Sequence, residues 1–144
     1  MHGVNVLKSD SGYLSPVAVA TDPADSTTYY MGAFGNILGL TTTADISRLY
    51  FPQAGTVVSV SGFVLVSSVL GSSETMTLSF RLNDTTDTTI TSTLTMDALQ
   101  VAFSNNALSI AIAQNDYCEL KVVTPAWVTN PTQVYMRALI ALQV

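Results

Sequence analysis

Between Ala107 and Val144 the chain carries three short apolar runs rich in β-branched and aromatic residues, separated by Gln114-Asn115-Asp116 and by the segment from Pro125 to Pro131. This spacing predicts strand, tight turn, strand, longer loop, strand. In the first run Leu108, Ile110 and Ile112 fall on one face, with Ser109, Ala111 and Ala113 on the other. In the second, Cys118, Leu120 and Val122 oppose Tyr117, Glu119 and Lys121. A period of two is what a pleated strand with one buried face produces. The third run, Val134 to Val144, is apolar on nearly both faces, with Arg137 and Gln143 the main exceptions. A strand covered on both sides reads this way, so something has to cover its second face.

The totals narrow what that cover can be. At 144 residues the chain suits one domain with its own core. Charged residues make up only 10%, against roughly 25% in typical soluble domains. Ser and Thr fill the difference at roughly a quarter of the chain, a bias toward strands and turns. A net charge of −5 with five basic residues argues against a nucleic-acid partner. No run approaches the roughly 18 consecutive apolar residues of a membrane helix, so no membrane partner is expected. Residues 1–12, MHGVNVLKSDSG, lack the basic flank and apolar core of a secretory signal. A single cysteine, Cys118, excludes an internal disulfide framework. Packing, helped by other subunits, is left to stabilise the chain.

Residues 1–26 read as an extended N-terminal arm and 27–144 as the folded domain. The arm holds short β-prone pieces and turn-rich residues but no core of its own, and Val4, Val6, Leu7, Val17 and Val19 make it more apolar than an ordinary disordered tail. It is expected to gain order on a neighbour. Thr27 to Phe34 is the first expected strand, Gly35 to Thr43 a loop, and Ile46 to Phe51 a second strand stopped by Pro52. Thr56 to Leu70 is a long strand with Val58, Val60, Val64 and Val66 on one face and Val57, Phe63, Leu65, Ser59 and Ser61 on the other. Glu74 to Leu82 alternates most clearly, with Met76, Leu78, Phe80 and Leu82 inward. Asn83 to Asp87 is a hairpin loop, Thr88 to Met96 a strand with Ile90, Leu94 and Met96 inward, and Leu99 to Phe103 a short strand. Helical spacing is absent except for one turn at most in Ala44 to Leu49. About eight strands at regular spacing predict an all-β, antiparallel β-sandwich of the jelly-roll kind.

Little in this chain suits catalysis. The single histidine, His2, lies in the arm, so a Ser-His or Cys-His pair has no base. Cys118 sits on an inward face as a small hydrophobe. A sugar-cleaving pair needs two facing carboxyl groups, yet Glu74 and Glu119 both read as outward and the aspartates fall in turns. Asn83, Asp84 and Asp87 offer oxygen ligands to calcium but lack the dense acidic loop pattern. No phosphate loop occurs, and no cofactor or metal is expected. Trp127, on a loop between prolines, is either a loop or interface anchor or a contact for a sugar ring.

Three features then coincide: Arg48-Leu49-Tyr50-Phe51-Pro52-Gln53-Ala54-Gly55-Thr56 before the long strand; Ser73-Glu74-Thr75-Met76-Thr77 through Asn83-Asp84-Thr85-Thr86-Asp87; and Asn115-Asp116-Tyr117 through Pro125-Ala126-Trp127-Val128-Thr129-Asn130-Pro131. Over residues 27–144 this set resembles the jelly-roll domains of tailed-phage virion surface proteins, similar in plan to tumour-necrosis-factor and complement globular heads. Such heads usually carry Ala-Gly-Asp before the penultimate strand; here Gln114-Asn115-Asp116 stands there, and Asn tolerates the left-handed backbone that Gly would adopt.

The resemblance implies a homotrimer without catalytic residues, located on the virion surface. The residues independently ask for a partner copy. The two strands with large apolar side chains on both faces suit one inner sheet, with Phe63, Leu65, Tyr135 and Leu139 meeting the threefold neighbours. The expected role is a trimeric capsid decoration or cement protein, held on the major capsid protein or another virion protein by Val4, Val6, Leu7, Val17 and Val19. A start Met and the lack of a shaft, collagen-like or heptad segment favour it. The alternative is a tail-fibre tip that binds host glycan through Trp127 and other loop aromatics.

Overall fold

The computed structural model describes residues 11–31 and 40–144. Among them run eleven strands: β1 (Ser11–Leu14), β2 (Val17–Thr21), β3 (Thr28–Met31), β4 (Leu49–Tyr50), β5 (Gly55–Val66), β6 (Thr75–Leu82), β7 (Thr86–Thr95), β8 (Gln100–Asn105), β9 (Ile110–Ile112), β10 (Tyr117–Val123) and β11 (Val134–Gln143). A 3₁₀ turn, Ala44–Ser47, is the one helical element among the described residues. In the first sheet β1 and β2 border β11, β11 borders β5, and β5 borders β8 and β9. In the second, β3 and β4 border β10, which leads to β6 and then β7. Every pairing is antiparallel. Let β2, β3, β5, β6, β7, β8, β10 and β11 count as eight successive strands. One sheet then runs first, eighth, third, sixth and the other second, seventh, fourth, fifth. That interleaving is a jelly roll, as expected.

The core lies between the sheets. Val60, Val64 and Val66 of β5 and Met136, Ala138 and Ile140 of β11 pack toward Leu78 and Phe80 of β6 and Cys118, Leu120 and Val122 of β10. The inward set expected for the β6–β7 hairpin, Met76, Leu78, Phe80, Ile90, Leu94 and Met96, is buried; Leu82 is half-buried. Gly62 faces this core between Val60 and Val64. A Cβ there would meet the Arg137 carbonyl oxygen, the Phe103 ring at 2.8 Å and the Ala138 Cα at 2.9 Å, so only glycine lets β5 and β11 approach this closely.

Several local expectations are corrected. Residues 11–21 are not an arm apart from the domain: β1 and β2 pair along β11, so the boundary drawn at residue 27 falls inside the sandwich, between a strand of one sheet and a strand of the other. Without them one edge of β11 would leave its N–H and C=O groups without a sheet partner. Val17 lies in β2 opposite Arg137, and Val19 is in the same strand; Val4, Val6, Leu7 and His2 lie outside the described residues. Val57, placed outward by parity, is buried, and Val58 is displaced. Ser59 opposes Ala141 while Val57 opposes Leu142, so Val58 is an extra residue on β5, a β-bulge that shifts the alternation by one. Ile46 to Phe51 yields only two strand residues, because the 3₁₀ turn takes Ile46 and Ser47. The long strand stops at Val66, short of Leu70.

Turn chemistry follows the residues. Asn83 (φ 51°) and Asp84 (φ 58°) take successive left-handed positions, and the Thr85 N–H donates to the Leu82 carbonyl at 3.1 Å. That two-residue turn suits the twist of a hairpin and is tighter than the expected loop. Asn115 (φ 69°) adopts the left-handed conformation anticipated for it.

Candidate functional site

Register fixes which side chains share the outer face of the first sheet, because directly opposed residues of antiparallel strands point the same way. Leu65 stands between Tyr135 and Gln100, Phe63 between Arg137 and Ala102, and Ser61 between Leu139 and Ser104. Ser59 opposes Ala141, which in turn opposes Tyr13. Phe63, Leu65, Tyr135 and Leu139, the residues expected at an interface, thus form one continuous surface. β11 alternates strictly, its inward residues buried and its outward ones open: Tyr135 is 37% exposed and Leu139 40%. Small neighbours leave two open grooves flanking Phe63. One of about 270 Å³ is lined by Ser15, Arg137 and Leu139, and one of about 490 Å³ by Gln100, Ala102 and Ser104. Arg137 is the single charged side chain among these positions. Sequence reasoning missed Tyr13, 63% exposed on the same face; Gly12-Tyr13-Leu14 carries the alternation but lay in the supposed arm.

A polar cluster sits on the outer face of the second sheet. Asp84, at the β6–β7 turn, accepts from the Arg48 guanidinium and from the Tyr117 hydroxyl at 2.9 Å. Arg48 also pairs with Asp45 at 2.7 Å and lies 4.4 Å from the Tyr117 ring centroid. The Asn83 side chain donates to Asp116 and accepts from the Tyr117 N–H, tying the hairpin turn to the turn before β10. Lys121 donates to Asp87. Glu119 lies within this cluster and is fully buried, which corrects its expected outward exposure. It occupies the sheet's outer face, as parity requires, but Arg81 and the hairpin turn cover it, with Arg81 Nε 3.4 Å from Oε1. Burial, then contact with Asp84, pushes the Glu119 carboxyl up to about 8. Desolvation raises the Asp84 carboxyl, but its place beside Glu119 and the hydrogen bonds from Arg48 and Tyr117 outweigh that and hold it below the usual carboxylate range. The alternation Cys118-Glu119-Leu120 offered a hint of Glu119's position, but its lid comes from residues 35 or more positions away.

The third group lies at the end of the sandwich bearing the Pro125 to Pro131 loop. Trp127 is 7% exposed, and its Nε1–H donates to the Thr75 carbonyl at 2.8 Å. It anchors the loop and has no free ring face for a sugar, which corrects its candidacy as a ligand contact. Glu74, expected outward, is also buried; its Oε1 accepts from the Val128 and Thr129 N–H groups at 2.9 and 2.8 Å.

These positions decide what the candidate chemical groups can do. Cys118 is fully buried, and burial pushes its thiol well up, away from the reactive thiolate. Glu74 is committed to the Val128 and Thr129 amides, and Glu119 is buried beside Arg81 on the outer face of the second sheet, so the two do not face each other across a cleft. Asp84 and Asp87, weighed as calcium ligands, are instead engaged by Arg48 and Lys121. Among the described residues no group of three or more acidic, His or Cys side chains is placed to hold a metal ion.

No protein-family model matches the chain. No curated protein matches it either. Among solved structures, the globular domain of the zebrafish complement 1qA protein overlays with a TM-score of 0.49 at 8% identity, covering 92% of this chain and 98% of that one. The strand order above, rather than this overlay, assigns the fold.

Proposed function

We propose that this chain is a non-enzymatic structural protein that works as a homotrimer, closed around the outer face of the β11–β5–β8 sheet. The observation that carries the reading is the strict alternation of β11: its inward residues are fully packed, while Tyr135 and Leu139 project with Phe63 and Leu65 onto a surface that the described residues leave open. Removing a Phe or Leu side chain from water contributes about 1.5–3 kcal/mol when complete. Several such side chains per copy make a heterologous, ring-closing interface worth forming. The number three comes from the resemblance to trimeric jelly-roll heads.

We further propose that the trimer sits on a virion surface as a decoration or cement protein, with the segment before Ser11, carrying Val4, Val6 and Leu7, as its contact to the major capsid protein or another virion protein. Ser11 lies opposite Gln143, so β1 begins at the end of the sheet where β11 finishes. The glycan-binding alternative loses its main support, since Trp127 is committed to the Thr75 carbonyl. Light scattering tests the assembly: the chain should measure as three copies and Leu139→Asp as one, whereas a trimeric Leu139→Asp variant would overturn the interface. Mixing the protein with undecorated capsids tests the role. Binding with a gain in heat resistance is expected, and neither would reject it.

A further inference from the structure

The polar cluster on the second sheet contains an arrangement that the proposed assembly does not use. Glu119 is fully buried, yet neither of its carboxyl oxygens has a donor in hydrogen-bond geometry, and the same holds for Asp84 Oδ1. The two carboxyl groups share one neighbour, Arg81 Nε, which lies 3.4 Å from Glu119 Oε1 and 3.9 Å from Asp84 Oδ1. A buried carboxylate beside a second, half-buried one is repelled, whereas one proton between them converts the repulsion into a strong hydrogen bond.

We propose that Glu119 keeps its proton in the folded chain and donates it to Asp84, making the pair a proton-dependent clamp that pins the β6–β7 turn onto β10 and the segment before β4.

The surroundings agree. From β6, Arg81 faces the pair and lies 5.5 Å from the Tyr30 ring centroid of β3. From β7, Asp87 takes Lys121 of β10 and lies 3.8 Å from Arg81. From the segment before β4, Arg48 bridges Asp84 and Asp45, and Tyr117 of β10 donates its hydroxyl to Asp84. Arg48, Arg81 and Lys121 face Asp45, Asp84, Asp87 and, at the turn before β10, Asp116, so the cluster already holds more negative than positive charge while Glu119 keeps its proton. Loss of that proton to solvent adds an unbalanced buried negative charge and sets Glu119 against Asp84. Asp84 is the residue through which the turn holds Arg48 and Tyr117, so the turn is what lets go. The upward displacement of the Glu119 carboxyl places this release just above neutral pH. The clamp lies on the sheet away from the proposed subunit interface, so its failure and that of the assembly are separable.

Carboxyl-carbon NMR titration of the intact chain tests the proton directly: Glu119 should titrate near pH 8, and a midpoint between 4 and 5 would overturn the proposal. Hydrogen exchange tests the clamp. The Asn83 and Tyr117 amides bond Tyr117 O and Asn83 Oδ1 respectively, and their protection factors should fall about tenfold or more between pH 6 and 9, while those of Val64 and Ile140 hold. Glu119→Gln donates to Asp84 without titrating and should abolish that fall; an equal fall in this variant would overturn the clamp. If the variant does not fold, the carboxyl titration of the unaltered chain still decides.

Discussion

Tyr135 on β11 stands directly across from Leu65 on β5, on a sheet face that nothing among the described residues of the subunit covers. One residue along, β11 turns Met136 into a packed core. Folding and assembly are therefore sensitive to different residues of the same strands. At concentrations where the subunit is single, Leu65→Asp should cost about 1 kcal/mol or less by urea unfolding, yet abolish assembly by light scattering. Ile140→Asp, which buries an unpaired charge, should cost more than about 4 kcal/mol and fail to fold.

The bond from Trp127 Nε1–H to the Thr75 carbonyl holds the 125–131 loop against β6. Trp127→Phe keeps most of the apolar contact and leaves a carbonyl unpaired, so it should lower stability by about 1–2 kcal/mol. Trp127→Ala adds a cavity and should cost about 3–5 kcal/mol. Denaturant unfolding of the two variants side by side checks the order.

Glu74 accepts two backbone N–H groups from the same loop. Glu74→Ala strands both donors and should cost about 2–3 kcal/mol. The loss should appear locally as faster hydrogen exchange at Val128 and Thr129, with the β5 and β11 amides little changed.

Gly62 is where β5 comes closest to β11. Even Gly62→Ala forces backbone or the Phe103 ring to shift, so a loss of about 1–3 kcal/mol is expected. Gly62→Val should prevent folding, visible as loss of the cooperative thermal transition.

The charge cluster sets an unusual pH profile. Glu119 titrates near its ordinary 4.5 when unfolded and about 8 when folded. Between those values the unfolded chain gives up a proton the folded chain keeps, so stability falls as pH rises, by on the order of 3–5 kcal/mol, then levels. Asp84 and Asp116 are displaced downward and act oppositely: their contribution is present above their ordinary value near 3.8 and is lost as pH falls through their folded values. Stability should therefore peak between about pH 4 and 5, and Glu119→Gln should flatten the alkaline limb. Urea midpoints across pH 3 to 9 test both.

A period-two pattern assigns each residue to a face of its strand without reference to anything distant. That is why the all-β class, the β6–β7 hairpin core, the inward set of β10 and the left-handed Asn115 were legible in the sequence. It also grouped Phe63, Leu65, Tyr135 and Leu139 before any strand order was known. What covers a face is decided by long-range pairing, which local pattern does not carry. Parity put Glu119 outward; only the fold brings Arg81 and Asp84 over it and so decides its protonation. The bulge that turns Val57 inward exists because β5 carries one residue more than β11 across that stretch, and the sequence of β5 alone does not reveal its partner's register. Residues 11–21 looked like an arm because their contacts lie more than a hundred positions away, on β11. Trp127 became an anchor rather than a ligand contact for the same reason: its partner carbonyl belongs to Thr75, and tertiary structure alone brings the two within 2.8 Å.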